Sequence, residues 1–175
     1  MKRIILSILL LLFIVTFAFP QDHAVDKGAF IISGTVDFYS SGGDLYWQET
    51  IIELMTSNAY FFAPNVLVGL KLGTAWDFDE YFRLVIGPQL GYAAGKADSK
   101  INPYITAGFQ FLYTADWNYS ETGTNINIAA GMIFSLKKHL GLVMEAGVDL
   151  SSMGGNSGHI IYVGVGLAGL FFKGN

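Results

Sequence analysis

From Ala29 onward, apolar residues alternate with polar or small ones at a period of two, the spacing of a β-strand and not of a helix. In the first run Phe30, Ile32, Val36 and Phe38 share one face, and Ile31, Ser33, Thr35, Asp37 and Tyr39 share the other. A second run, 46–62, sets Ile52 and Leu54 against Glu49 and Glu53. In a third, Val66, Val68, Leu70 and Leu72 oppose Leu67, Gly69, Lys71 and Gly73. Leu84, Ile86 and Leu90 then oppose Arg83, Val85 and Gln89, and Ile105, Phe109 and Phe111 oppose Tyr104, Thr106 and Gln110. Three more runs follow, centred on Ile128, Met144 and Val163. Each is close to the roughly 9–11 residues that cross a bilayer as a tilted strand. No helical period competes after residue 20.

The chemistry of the two faces decides which is inside. One carries Leu, Ile, Val, Phe and Met; the other carries Gly, Ala, Ser, Thr, Asn and every mid-strand charge. A soluble barrel would put the bulky face in its core and a charged face in water. Here the polar face is dominated by small residues, which suit the crowded interior of a narrow barrel, so the bulky face meets lipid. The pattern predicts an all-β fold over residues 21–175, an eight-stranded antiparallel up-and-down transmembrane β-barrel. The joints fit a barrel whose N-terminus is periplasmic, with long outer loops and short inner turns. Segments 116–123 and 151–158 read as long outer loops, and Pro64-Asn65 and Lys138-His139 as tight inner turns. The inner joint 94–100 is longer than such a turn should be.

Residues 1–20 stand apart. Lys2 and Arg3 precede an apolar stretch from Ile4 to Phe19, and polar Gln21-Asp22-His23 follows. That is the layout of a secretory signal peptide, and Thr16-Phe17-Ala18 suits cleavage after Ala18. The rival is an uncleaved anchor helix, for which the run is short.

Composition narrows the classes. Of 175 residues 52% are hydrophobic and only 14% charged, below the roughly 25% of an ordinary soluble domain. Yet beyond the N-terminus no run approaches the roughly 18 apolar residues of a membrane helix. A net charge of −4 argues against nucleic acid, which wants a basic face. With no cysteine, disulfides, thiolate metal sites and thiol nucleophiles are absent.

The segments Asn58-Ala59-Tyr60-Phe61-Phe62-Ala63-Pro64-Asn65-Val66-Leu67-Val68-Gly69 and Ile86-Gly87-Pro88-Gln89-Leu90-Gly91-Tyr92 carry a resemblance. The first is similar to an aromatic tight turn, the second to a glycine-proline strand. On these the chain resembles the small outer-membrane β-barrel proteins of Gram-negative bacteria, of the OmpX, Ail and OmpA-transmembrane type, over about residues 28–172. The resemblance implies export, residence in the outer membrane among its lipids, and delivery by the barrel-insertion machinery. Such chains end on an aromatic residue; here Phe172 is followed by Lys173-Gly174-Asn175.

Parity places Asp37, Glu49, Glu53, Lys71, Arg83, Glu145 and Asp149 on the lumen face, with Glu53, Lys71 and Glu145 near mid-barrel. They read either as an ion or solute path or as an ion-pair network that plugs the barrel. Buried charges must be paired, and eight strands enclose only side-chain-sized space, so the network is the stronger reading. Lys71 is expected to bridge Glu53 or Glu145, and Arg83 to bridge Asp37, Glu49 or Asp149. Histidines are few; His159 lies near Ser151, Ser152 and Ser157 without a His-x-Ser arrangement. Phe38, Trp76, Tyr92, Tyr113, Phe134 and Phe171 suit interfacial girdles. Trp117 and Tyr119 are the candidates for a surface ligand. No motif calls for a cofactor or a metal. The expected function is non-catalytic: structural, adhesive or weakly permeating. The alternatives are a hydrophobic-ligand carrier and a lipid-modifying outer-membrane enzyme.

Overall fold

A computed structural model describes residues 27–43, 51–76, 82–95, 99–115 and 120–171. Eight strands run in chain order: β1 Phe30–Gly43, β2 Ile51–Ala63, β3 Val66–Trp76, β4 Phe82–Ala93, β5 Ile101–Ala115, β6 Ser120–Lys137, β7 Leu140–Met153 and β8 Asn156–Phe171. Each pairs antiparallel with its neighbour, and β1 also pairs with β8, so the sheet closes on itself as a barrel. Closure satisfies every strand edge, which an open sheet would leave unpaired. The fold is the all-β, eight-stranded up-and-down barrel that the alternation predicts.

The period-two pattern becomes two surfaces. Ile32, Val36, Leu54, Leu70, Ile105, Phe111 and Ile161 are exposed on the outer wall, whereas Asp37, Glu53, Lys71, Arg83 and Asp149 are buried within. Among the girdle aromatics, Phe38, Tyr92 and Tyr113 are exposed on the outer wall. Phe134 and Phe171 are half-buried. Among the described residues no helix is long and apolar enough to cross a membrane.

The joints depart from expectation in two places. Segment 120–123 is strand: Ser120 and Glu121 pair with Ala115 and Thr114. Segment 151–158 is likewise a continuous hairpin, with Ser151 facing Gly158 and Ser152 facing Ser157, and it turns only at Gly154-Gly155. Both glycines adopt positive φ, 57° and 87°, which matches the primed two-residue turns that suit strand twist. These strands continue past the last bulky outward residue, so they lose hydrophobic alternation while keeping their ladders. At the other end Pro64-Asn65 and Lys138-His139 form tight turns. Asn65 takes φ 66°, a conformation asparagine tolerates better than most residues. A bulge adjoins each turn, at 61–63 and 135–137.

The barrel's inner end is closed by an apolar plug that the alternation did not reveal. Ile31, Phe61, Leu67, Ile133, Val143 and Leu170 pack into one buried cluster inside the wall. Each comes from a different strand, β1, β2, β3, β6, β7 or β8, so no run looks apolar on both faces. His139 folds under this plug, its Nδ1 2.6 Å from the Leu170 carbonyl oxygen.

Candidate functional site

Above the plug the lumen is polar, and its side chains fall into tiers set by strand register. Lys71 projects from the middle of β3. Its Nζ donates to Glu145 Oε1 at 2.7 Å and to the Tyr162 hydroxyl at 2.9 Å, and it lies 4.9 Å from the centre of the Tyr162 ring. The Tyr162 hydroxyl donates to Glu145 Oε1 at 3.0 Å, and that of Tyr104 donates to Glu145 Oε2 at 2.7 Å. Both carboxylate oxygens of Glu145 are therefore engaged, as a buried charge requires.

The next tier is built around Arg83 of β4. Its Nη1 reaches Glu53 Oε2 at 3.3 Å, and its Nη2 lies 3.6 Å from Asp149 Oδ2. Asn127 joins the tiers, its Nδ2 donating to Asp149 Oδ1 at 2.6 Å and to the Tyr162 hydroxyl at 3.0 Å. Higher still, Asn125 donates to Gln110 at 2.7 Å and Ser151 donates to Asn125 at 3.3 Å. Lower down, Gln89 bonds the Ser57 hydroxyl. From Glu53 through Arg83, Asp149, Asn127 and Tyr162 to Lys71, Glu145 and Tyr104, one connected set draws on all strands but β1.

Local sequence makes room for these long groups. Tyr104 faces Gly131 and Tyr162 faces Gly147 across the ladder. A Cβ on Gly131 would stand 2.6 Å from the Tyr104 hydroxyl, and one on Gly147 would stand 2.5 Å from that of Tyr162. The rings lie flat over bare backbone. Asp37 does the same over Gly164.

The charged residues read from parity thus lie as follows. Lys71 meets Glu145, and Arg83 meets Asp149 and Glu53. Glu53 stands beside Asp37 in the register, not at the depth of Lys71. Glu53 pairs with Ala75, four residues from Lys71 toward the outer end of β3, a depth that alternation within one run does not fix. Asp37 is buried and forms no ion pair among the described residues. Glu49, Trp117, Tyr119, Phe172 and the segment 1–20 lie outside the described residues. Parity among charges could not find Tyr104, Tyr162 and Asn127, which are neutral. Tyr162 alone carried a signal, a large residue on a face continued by Gly164, Gly166 and Ala168.

A cavity of about 40 Å³ separates the plug from the Lys71 tier, edged by Ser33, Ser57, Gln89 and Thr106. It has room for a few water molecules. Among the described residues no three acidic or histidine side chains gather as a metal site.

No protein-family model matches the sequence, and no curated protein matches it. Solved structures do. Neisserial surface protein A has a TM-score of 0.67 at 13% identity, over 83% of this chain and 100% of that one. The N-terminal β-barrel domain of Pseudomonas aeruginosa OprF gives 0.56 at 17% identity, over 86% and 100%. Ail, the attachment invasion locus protein of Yersinia pestis, gives 0.51 at 16% identity, over 81% and 99%. The chain has the fold of the small eight-stranded outer-membrane barrels.

Proposed function

We propose that this protein is a non-catalytic barrel of the bacterial outer membrane, held closed by its own interior and serving as a structural or surface-display element. One observation carries the reading. The chain buries Arg83 and Lys71, 0% and 2% exposed, while leaving Leu70 and Ile161 45% and 59% exposed. In water that distribution would be unfavourable twice over, since each exposed aliphatic forgoes about 1.5–3 kcal/mol of burial. Against lipid it is the expected one. Export by the segment 1–20 and insertion by the barrel-assembly machinery complete the proposal.

The closed lumen argues against a carrier, since pockets for small molecules run to roughly 300–1,000 Å³ and the lumen cavity is about 40 Å³. It argues equally for a barrel that does not conduct. A surface ligand would meet the outer connections, and the segment between β5 and β6 carries Trp117 and Tyr119 in its sequence. The test is extraction followed by planar-bilayer recording. The protein should need detergent to leave the membrane fraction and should give no unitary currents. Extraction by alkaline wash alone, or steady single-channel steps from wild-type protein, would refute the proposal.

A further inference from the structure

The outer wall carries a groove unlike the rest of its surface. Phe109, Ile126, Leu150 and His159 are successive cross-strand neighbours on β5, β6, β7 and β8. The row nearer the outer end runs Phe111, Thr124, Ser152, Ser157. All of these but Phe111 border an open hollow of about 460 Å³ that reaches Gly43 of β1. Its floor is apolar, with Phe109, Ile126 and Leu150 each close to half exposed. Its upper edge is a line of hydroxyls, Thr124, Ser152 and Ser157, and the His159 imidazole closes the floor on the β8 side.

The imidazole has a built seat. His159 faces Gly42 across the β1–β8 ladder, and a Cβ on Gly42 would come within 3.0 Å of the ring. A side chain at 42 would crowd the ring. Within the described residues neither His159, Ser152, Ser157 nor Thr124 hydrogen-bonds to another side chain, so their polar groups are offered outward. Among the described residues no carboxylate borders the hollow.

Height fixes the kind of occupant. Along β6, β7 and β8 the outward residues below the row are aliphatic, such as Ile128 and Ile161, and those above it, Thr124, Ser152 and Ser157, are hydroxylic. A ligand lying across that boundary must be apolar at one end and polar at the other. The hydroxyls and imidazole at its polar end can donate to the phosphate oxygens of a lipid head, and among the described residues no bordering carboxylate repels that charge. We propose that this groove holds one membrane lipid, its acyl chain on Phe109, Ile126 and Leu150 and its anionic phosphate head on Ser152, Ser157 and His159. The inference rests on the membrane reading above.

The test uses the full chain in phosphatidylcholine vesicles doped with phosphatidylglycerol bearing a photoactivatable diazirine high on one acyl chain. After illumination, peptides containing Ile126 and Leu150 should carry several-fold more label than those containing Leu72 and Ile86 on the opposite wall. His159→Ala combined with Ser157→Ala, and separately Gly42→Val, should reduce the excess to the level of that wall. Unboiled gel mobility checks that each variant is folded. Label spread evenly round the barrel would overturn the groove while leaving membrane insertion intact. Equal enrichment with a phosphatidylcholine probe would overturn the anionic head. No label on any strand would remove the membrane reading, and the groove with it.

Discussion

A lysine sealed inside a narrow barrel must find its partners among the side chains that share its depth. Lys71 has Glu145 and Tyr162, and Glu145 in turn takes Tyr104 and Tyr162. Removing one partner of a buried pair typically costs about 3–5 kcal/mol, because the other charge is stranded, whereas neutralising both can cost little. Lys71→Met should therefore destabilise by about that amount, and adding Glu145→Gln should recover most of the loss. Adding Glu53→Gln instead should not, since Glu53 answers to Arg83. Denaturant midpoints of the three variants in detergent decide it. If Glu53→Gln rescues as well as Glu145→Gln, the tiers are coupled differently from the geometry. At this scale the charges could be read from parity alone, because each interrupts a face of small residues. Their pairing was less legible: it depends on the register between strands, which sets Glu53 opposite Ala75 and not beside Lys71.

Each strand carries two coded faces, and the code is tested by swapping them. Leu70 lies mid-strand on β3, 45% exposed on the outer wall. Leu70→Arg should cost about 2–4 kcal/mol if the outer wall meets lipid, read as a lowered unfolding midpoint in vesicles. An unchanged midpoint would contradict the facing. Between strands the coupling runs through glycine. Gly147 lies beneath the Tyr162 hydroxyl, where a Cβ would fall at 2.5 Å. Gly147→Ala should displace the ring and loosen its bonds to Lys71, Asn127 and Glu145. The loss should shrink markedly when Tyr162→Phe is already present, a non-additivity that stability measurements on the double variant would show. The existence of all eight strands follows from alternation, since lipid and lumen make opposite demands on successive residues. The ends of β6, β7 and β8 did not follow. Past the last aliphatic residue Ser151-Ser152 and Ser157-Gly158 look like loop, yet the ladder continues through them to Gly154-Gly155.

Across the whole molecule two seals stand in series. The outer one is the polar network on Arg83 and Lys71; the inner one is the plug of Phe61, Leu67, Ile133 and Leu170. The first was foreseeable from the charges, the second was not, since Ile31, Leu67 and Val143 are single bulky residues on otherwise polar faces. Seals in series have a simple consequence. Opening one leaves the resistance of the other, so neither alone should admit ions. Lys71→Ser with Glu145→Ser removes a pair without stranding a charge and widens the middle tier, but leaves the plug intact. Phe61→Ala widens the plug but leaves the network intact. Each should remain silent in planar bilayers, as the wild type should. The combined variant joins the cavity beside Glu145 to a breached inner end and a thinned outer one, and it alone should show unitary currents. The route then passes Asp37, Glu53 and Asp149, which outnumber the remaining Arg83, so those currents should favour cations; reversal potentials in a salt gradient measure this. Currents in Phe61→Ala alone would mean that the network is already permeable, and the polar tiers would then be a path and not a seal.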